Sequence, residues 1–171
     1  LHYIEQEGCE LKHKAFLAPS DGSDPRRALA ERLCEDIPEN ACVMAYNDPF
    51  EKGRIKEMAN QYSDLNGKLM KIHDNIVDLL IPFRNGNYYT KAMGGSFSIK
   101  SVLPALFPDN EELNYHHLNE LVQNGGDAMS IFPRIKYMPA DEAEKARQAL
   151  FDYCHLDTLA MVRIWEKLSS L

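Results

Sequence analysis

The order of apolar and polar positions divides the chain into a hairpin, a series of helices and two short apolar runs. Leu1-His2-Tyr3-Ile4 and the stretch from Leu11 to Leu17 flank a polar turn around Gly8, which predicts a β-hairpin over residues 1–18. Ser20 to Pro25 is a turn cluster. Asp24 can cap a helix with Pro25 at its first position, and Ala28, Leu29, Arg32 and Leu33 keep helical spacing until it ends near Pro38. Ala41 to Tyr46 is a continuous apolar run and reads as a strand buried on both faces of a parallel or mixed sheet. Asn47 and Asp48 end it, and Pro49 opens a helix running to about Tyr62. Another helix is expected from Asp64 to about Asn75. Ile76 to Ile81 reads as a strand or extended segment ended by Pro82, and residues 83–97 carry turn chemistry in Asn85-Gly86 and Gly94-Gly95-Ser96. Ser98 can cap a short helix through Leu106, Pro108 to Asn114 reads as a loop, and Asp127 to Phe132 as a short helical stretch. Pro139 and Asp141 start a final helix to about Leu168, in which Leu150, Tyr153, Leu156, Asp157, Ala160, Met161 and Ile164 follow a helical period.

This pattern describes an α/β chain with few strands for its length. Its 171 residues suit a single domain with its own core. No apolar run approaches the roughly 18 residues that span a bilayer. Residues 1–10 carry acids rather than an apolar leader stretch. A cytoplasmic setting in a bacterium or archaeon, without membrane attachment, is therefore the expectation. The formal charge of −7 argues against a protein that coats nucleic acid through a bulk basic excess. It leaves room for a nuclease, whose acids hold metal ions and whose basic strip is local. The four cysteines form no CxxC pair and no zinc spacing, and are expected to be reduced and mostly buried.

Three places could carry chemistry. Tyr153 and Asp157 are four residues apart on the final helix, so they share a face. The carboxylate there could hold a hard divalent cation, and the tyrosine could orient a water toward a phosphodiester. The plain alternative is a half-buried tyrosine beside a surface aspartate. Asn47-Asp48-Pro49-Phe50-Glu51 lies where a buried strand meets a helix, a place where α/β folds build sites. Asn47 would cap that helix and Glu51 would fall in its first turn, or Asp48 and Glu51 would merely complement the helix dipole. Asp78 is an acid within an apolar strand and needs a partner, whether structural or at a site. His116-His117 are adjacent, point apart and make poor joint ligands. No P-loop, GxSxG or HExxH pattern is present.

Taken in order, Ala45 to Glu51, Asp78 to Arg84, Gly95 to Leu106 and Tyr153 to Val162 resemble a bacterial family catalogued as a domain of unknown function. That family is similar to the DnaQ-like (DEDD) 3′–5′ exonucleases of the RNase H-like superfamily. The resemblance implies a three-layer α/β fold, with a mixed sheet flanked by helices, over one domain spanning residues 1–171. It also implies two-metal phosphodiester hydrolysis on DNA or RNA with Mg²⁺ or Mn²⁺. Asn47, Phe50 and Glu51 match the second motif, with Glu51 where that motif has Asp. Tyr153 and Asp157 match the third motif in its tyrosine form. By this resemblance Tyr153, Asp157 and Glu51 are catalytic, Asp157 and Glu51 are metal ligands, and Asn47 and Lys100 contact substrate. The first motif, Asp-x-Glu on an apolar strand, has no counterpart before residue 20. The chain is accordingly read as a fragment opening after the first strand. It is expected to be inactive by itself and to have an exposed sheet edge where two copies could pair. The alternative is a non-catalytic module that keeps the nuclease fold to bind nucleic acid or a protein.

Overall fold

The structure is a computed structural model and describes residues 1–6 and 8–171. In chain order it contains β1 (His2–Tyr3), β2 (Lys12–His13), α1 (Arg26–Asp36), β3 (Val43–Ala45), α2 (Pro49–Gln61), α3 (Asn66–Asp74), β4 (Ile76–Asp78) and α4 (Ile81–Arg84). Then follow α5 (Ile99–Leu106), α6 (Gly125–Ile131) and α7 (Ala140–Ser169), with 3-10 turns at Lys91–Met93, Glu111–Leu113, Tyr115–His117 and Phe132–Tyr137. The chain divides into two compact units. One comprises Leu1–Ser23 and Ala92–Leu171, the other Asp24–Lys91. The architecture is mixed α/β and dominated by helices. In place of one mixed sheet, the described strands form two pairs, β1 with β2 antiparallel and β3 with β4 parallel.

In the first unit the hairpin pairs His2 with His13 and Tyr3 with Lys12. Gly8 takes φ +82° in its turn, a left-handed conformation that glycine adopts without a Cβ penalty. Ala146, Ala149 and Leu150 of α7 form a core with Val122, Ile131 and Ile135. The small alanines let the elements facing α7 approach closely. Further along, Leu156, Leu159, Ala160 and Ile164 are also buried, so α7 hides one stripe through most of its length. Asp141 and Glu142 occupy its first turn and Lys167 its last, in keeping with the helix dipole. Among the described residues no helix is long and apolar enough to cross a membrane.

In the second unit the core consists of Ala30 from α1, Ala45 from β3, Ile55, Met58 and Ala59 from α2, Leu69 and Ile72 from α3, and Ile76 from β4. Asp24 accepts a hydrogen bond from the Arg26 backbone N–H at 3.0 Å, but the capping position of α1 falls to Pro25, one residue later than expected, and carries no side-chain cap bond. The two strands run in parallel register, Val43 opposite Ile76, Met44 opposite Val77 and Ala45 opposite Asp78. The expected burial of this sheet on both faces holds on one side only. Ile76 and Asp78 are buried, whereas Val77 between them is 50% exposed. The segment after β4 differs from expectation too, because Pro82 sits in the first turn of the short helix α4, where its missing N–H costs nothing.

Asp78 closes the end of this sheet. It is buried, and its Oδ1 accepts hydrogen bonds from the backbone N–H groups of Asn47 at 2.8 Å and Leu80 at 2.9 Å. A buried carboxylate needs such donors to offset its lost hydration. The clamp turns the chain sharply after β3, and Asn47 there takes φ 69°. Asparagine tolerates this left-handed region better than other residues with a Cβ. The cap of α2 is consequently Asp48 rather than Asn47, with Pro49 following as the first helical residue. Replacing Asp78 by Ala is expected to cost about 3 kcal/mol, since two N–H groups lose a charged acceptor. Asn47→Val should cost about 1–2 kcal/mol and Asn47→Gly much less. Urea denaturation of the three variants checks this, and equal losses for the two Asn47 variants would refute the role given to the backbone angle.

Candidate functional site

The final helix brings together the side chains that its period suggested. Tyr153 and Asp157 lie on one face of α7, and both are half-buried. The Tyr115 hydroxyl donates to Asp157 Oδ1 at 3.0 Å. Tyr115 begins a 3-10 turn whose preceding residue, Asn114, caps it by accepting from the His116 N–H at 3.0 Å. Lys100, exposed on α5, donates from Nζ to the Gln123 carbonyl at 3.0 Å and stands 5.7 Å from the Tyr115 ring centroid. A carboxylate, two phenols and an ammonium thus converge within the first unit.

Electrostatics in this cluster follow from burial. Burial pushes the Asp157 carboxyl above the usual carboxylate range, opposed first by the Tyr115 hydrogen bond, then by Lys100 and Tyr153. Burial and then the Asp157 charge raise Tyr115 and Tyr153 well above an ordinary phenol. The site can accept hydrogen bonds at one carboxylate and donate them from two phenols that stay protonated at neutral pH.

The other expected residues lie in the second unit. Glu51 is exposed in the first turn of α2. Asn47 is exposed at the left-handed turn and donates its backbone N–H to Asp78. Asp78 is therefore a structural acid. Of the five residues expected at the site, Lys100, Tyr153 and Asp157 share a unit and converge, whereas Asn47 and Glu51 share the other. Tyr115 was not anticipated. It is 42 residues from Asp157 in sequence, and nothing local to it signals a carboxylate partner.

A second cluster was also missed. His2, His13 and His155 place ligand atoms all within 4.8 Å of one another, a group among the described residues that could hold a metal ion. Their ring centroids are 4.5, 4.7 and 4.5 Å apart. The signal available in sequence was a histidine on each strand of the hairpin, but only the register makes them partners. The cysteines depart from expectation as well. All four are free, but Cys9, Cys42 and Cys154 are exposed and Cys34 is half-buried.

A phenol whose folded pKa exceeds its unfolded value adds stability that is complete below the unfolded pKa, about 10. That stability is lost as pH rises through the folded value. The protein should therefore lose stability as pH climbs above about 10. Tyr115→Phe should lose less over the same interval, starting from a baseline about 1–3 kcal/mol lower because Asp157 loses its donor. Denaturation midpoints at about pH 9 and about pH 11 check both statements, and an equal slope in the variant would contradict them.

Comparison with known proteins adds one finding. A family described as a domain of unknown function, DUF2779, matches residues 1–98. The matched segment includes Asn47, Glu51 and Asp78 and stops before Lys100, Tyr115, Tyr153 and Asp157. No curated protein and no solved structure matches the chain. With more than half of its residues matched, the chain belongs to the DUF2779 family.

Proposed function

We propose that this chain belongs to a metal-dependent nuclease of the 3′–5′ exonuclease kind, with an RNase H-like fold and DNA or RNA as substrate. The observation that carries the reading is the α7 face on which Tyr153 and Asp157 stand together, with the Lys100 ammonium beside them. Asp157 would supply a carboxylate oxygen to Mg²⁺ or Mn²⁺, Tyr153 would hold a water by its hydroxyl, and Lys100 would face the substrate phosphate. The metal ions would lower the pKa of a bound water and stabilise the leaving oxygen. Within the first unit the donor set fits such ions only in part. Asp157 already accepts the Tyr115 proton, and Asp127, whose charge also reaches Tyr153, is engaged by the Gln123 backbone N–H and the Asn124 side-chain amide. Hard divalent cations require several oxygen ligands.

This partial fit favours a second reading, a non-catalytic module that uses the same scaffold to bind nucleic acid or a protein. In that case the Tyr115–Asp157–Tyr153 cluster fixes the packing of α7 and performs no chemistry. The two readings separate in one assay. The protein carrying this sequence, incubated with end-labelled single-stranded DNA or RNA, should release nucleotides only with Mg²⁺ or Mn²⁺ present. Asp157→Asn should abolish release, and Tyr153→Phe should slow it about 100-fold by misplacing the water. Metal-independent release, or unchanged release by Asp157→Asn, would sink the nuclease assignment. Binding of the oligonucleotide without cleavage would establish the second reading.

A further inference from the structure

The histidine cluster is built from two pieces of chain that only the fold brings together. The antiparallel register sets His2 directly opposite His13, which places both side chains on one face of the hairpin. His155 reaches the same place from α7. Its ring stands edge-on to both hairpin rings, at interplanar angles of 70° and 74°. One ligand atom from each ring lies within 4.8 Å of the other two.

One of the three is already oriented. His2 Nδ1 lies 2.8 Å from Thr158 Oγ1. That hydroxyl has a single proton and donates it back along α7, to the Cys154 carbonyl at 3.0 Å or the His155 carbonyl at 3.2 Å. With that proton committed to the helix, the hydroxyl accepts from His2 Nδ1–H, the tautomer that leaves the Nε2 lone pair for a ligand. Metal-binding histidines are commonly held in this way, one ring nitrogen donating to a fixed acceptor while the other coordinates.

We propose that His2, His13 and His155 form a binding site for a divalent first-row transition-metal ion of the zinc class, held by three imidazole nitrogens with an open fourth position. Imidazole is a donor of intermediate softness that suits such ions and not magnesium or calcium, which take oxygen. Ligand nitrogens about 2.0–2.1 Å from a tetrahedral zinc lie roughly 3.4 Å from one another. The present spacing, up to 4.8 Å, requires a closure of about 1.5 Å that rotation of the exposed His13 and His155 side chains can supply. Three protein nitrogens and an open position are the arrangement of reactive rather than purely structural zinc sites. A cavity of about 80 Å³, lined in part by His13, Leu17, Cys154 and His155, adjoins the cluster and leaves room for a metal-bound water. This site is independent of Tyr153 and Asp157 and takes a different class of ion.

Calorimetric titration of the protein with Zn²⁺ alone should give one site per chain. Co²⁺ should give the intense visible bands of a four- or five-coordinate complex. His13→Ala and His155→Ala should each weaken Zn²⁺ binding at least about tenfold, near 1.4 kcal/mol. Both residues are exposed, so circular dichroism and melting of the metal-free variants should match those of the parent. His116→Ala/His117→Ala, which removes two other exposed histidines, should bind Zn²⁺ as the parent does. Absence of a stoichiometric site would overturn the proposal. So would loss of binding in the His116/His117 variant equal to that in the cluster variants, or a Co²⁺ spectrum of the six-coordinate aquo type.

Discussion

A buried carboxylate with two backbone donors shapes the second unit. Asp78 faces Ala45 across the parallel pair and accepts from Asn47 and Leu80, so one side chain fixes the chain at the ends of both strands. Burying an acid costs several kcal/mol unless its hydration is replaced, and here the replacement comes from backbone N–H groups that would otherwise be orphaned beyond the strand ends. The geometry this demands forces Asn47 to positive φ, which in turn makes Asp48 the cap of α2. Two strands of three residues each could not hold a fixed exit angle by ladder hydrogen bonds alone.

Much of this was legible from residue order. The starts of α1, α2, α5 and α7 were anticipated within a residue or two, because Asp24-Pro25, Pro49, Ser98 and Pro139 are local signals with local causes. The hairpin was legible for the same reason, through the glycine its turn requires. The sheet was not. A run such as Ala41–Tyr46 fits a strand covered on both faces, yet β3 has β4 as its partner and the adjacent Val77 faces solvent. Apolar periodicity reports that a segment can be buried, not how many strands will bury it.

The candidate sites show the same division between local and distant causes. Tyr153 and Asp157 were readable as one face because a helix fixes their spacing. What makes that face a cluster is Tyr115, brought in by a turn in a region whose sequence reads as loop. Likewise His2 and His13 are meaningful only once the hairpin register is known, and His155 only once α7 is placed. Cys9, Cys42 and Cys154 were misjudged for a related reason. Cysteine is usually buried, but that preference is statistical, and nothing in their neighbouring residues decides it.

α7 carries both clusters, and helix geometry keeps them apart. At about 100° per residue, Asp157 sits near the direction of Tyr153, whereas His155 points roughly 200° away, to the opposite side. A helix two residues out of register would exchange these faces, which gives the buried stripe of Ala146, Leu150, Leu156 and Ala160 a consequence beyond stability. By holding the helix in one rotation it decides which side chains meet Tyr115 and which meet the hairpin. The separation also bears on chemistry. A carboxylate with phenols offers only oxygen and three imidazoles offer only nitrogen, so the two faces differ in donor chemistry. One helix therefore presents two faces of different donor chemistry, fixed by a single rotation.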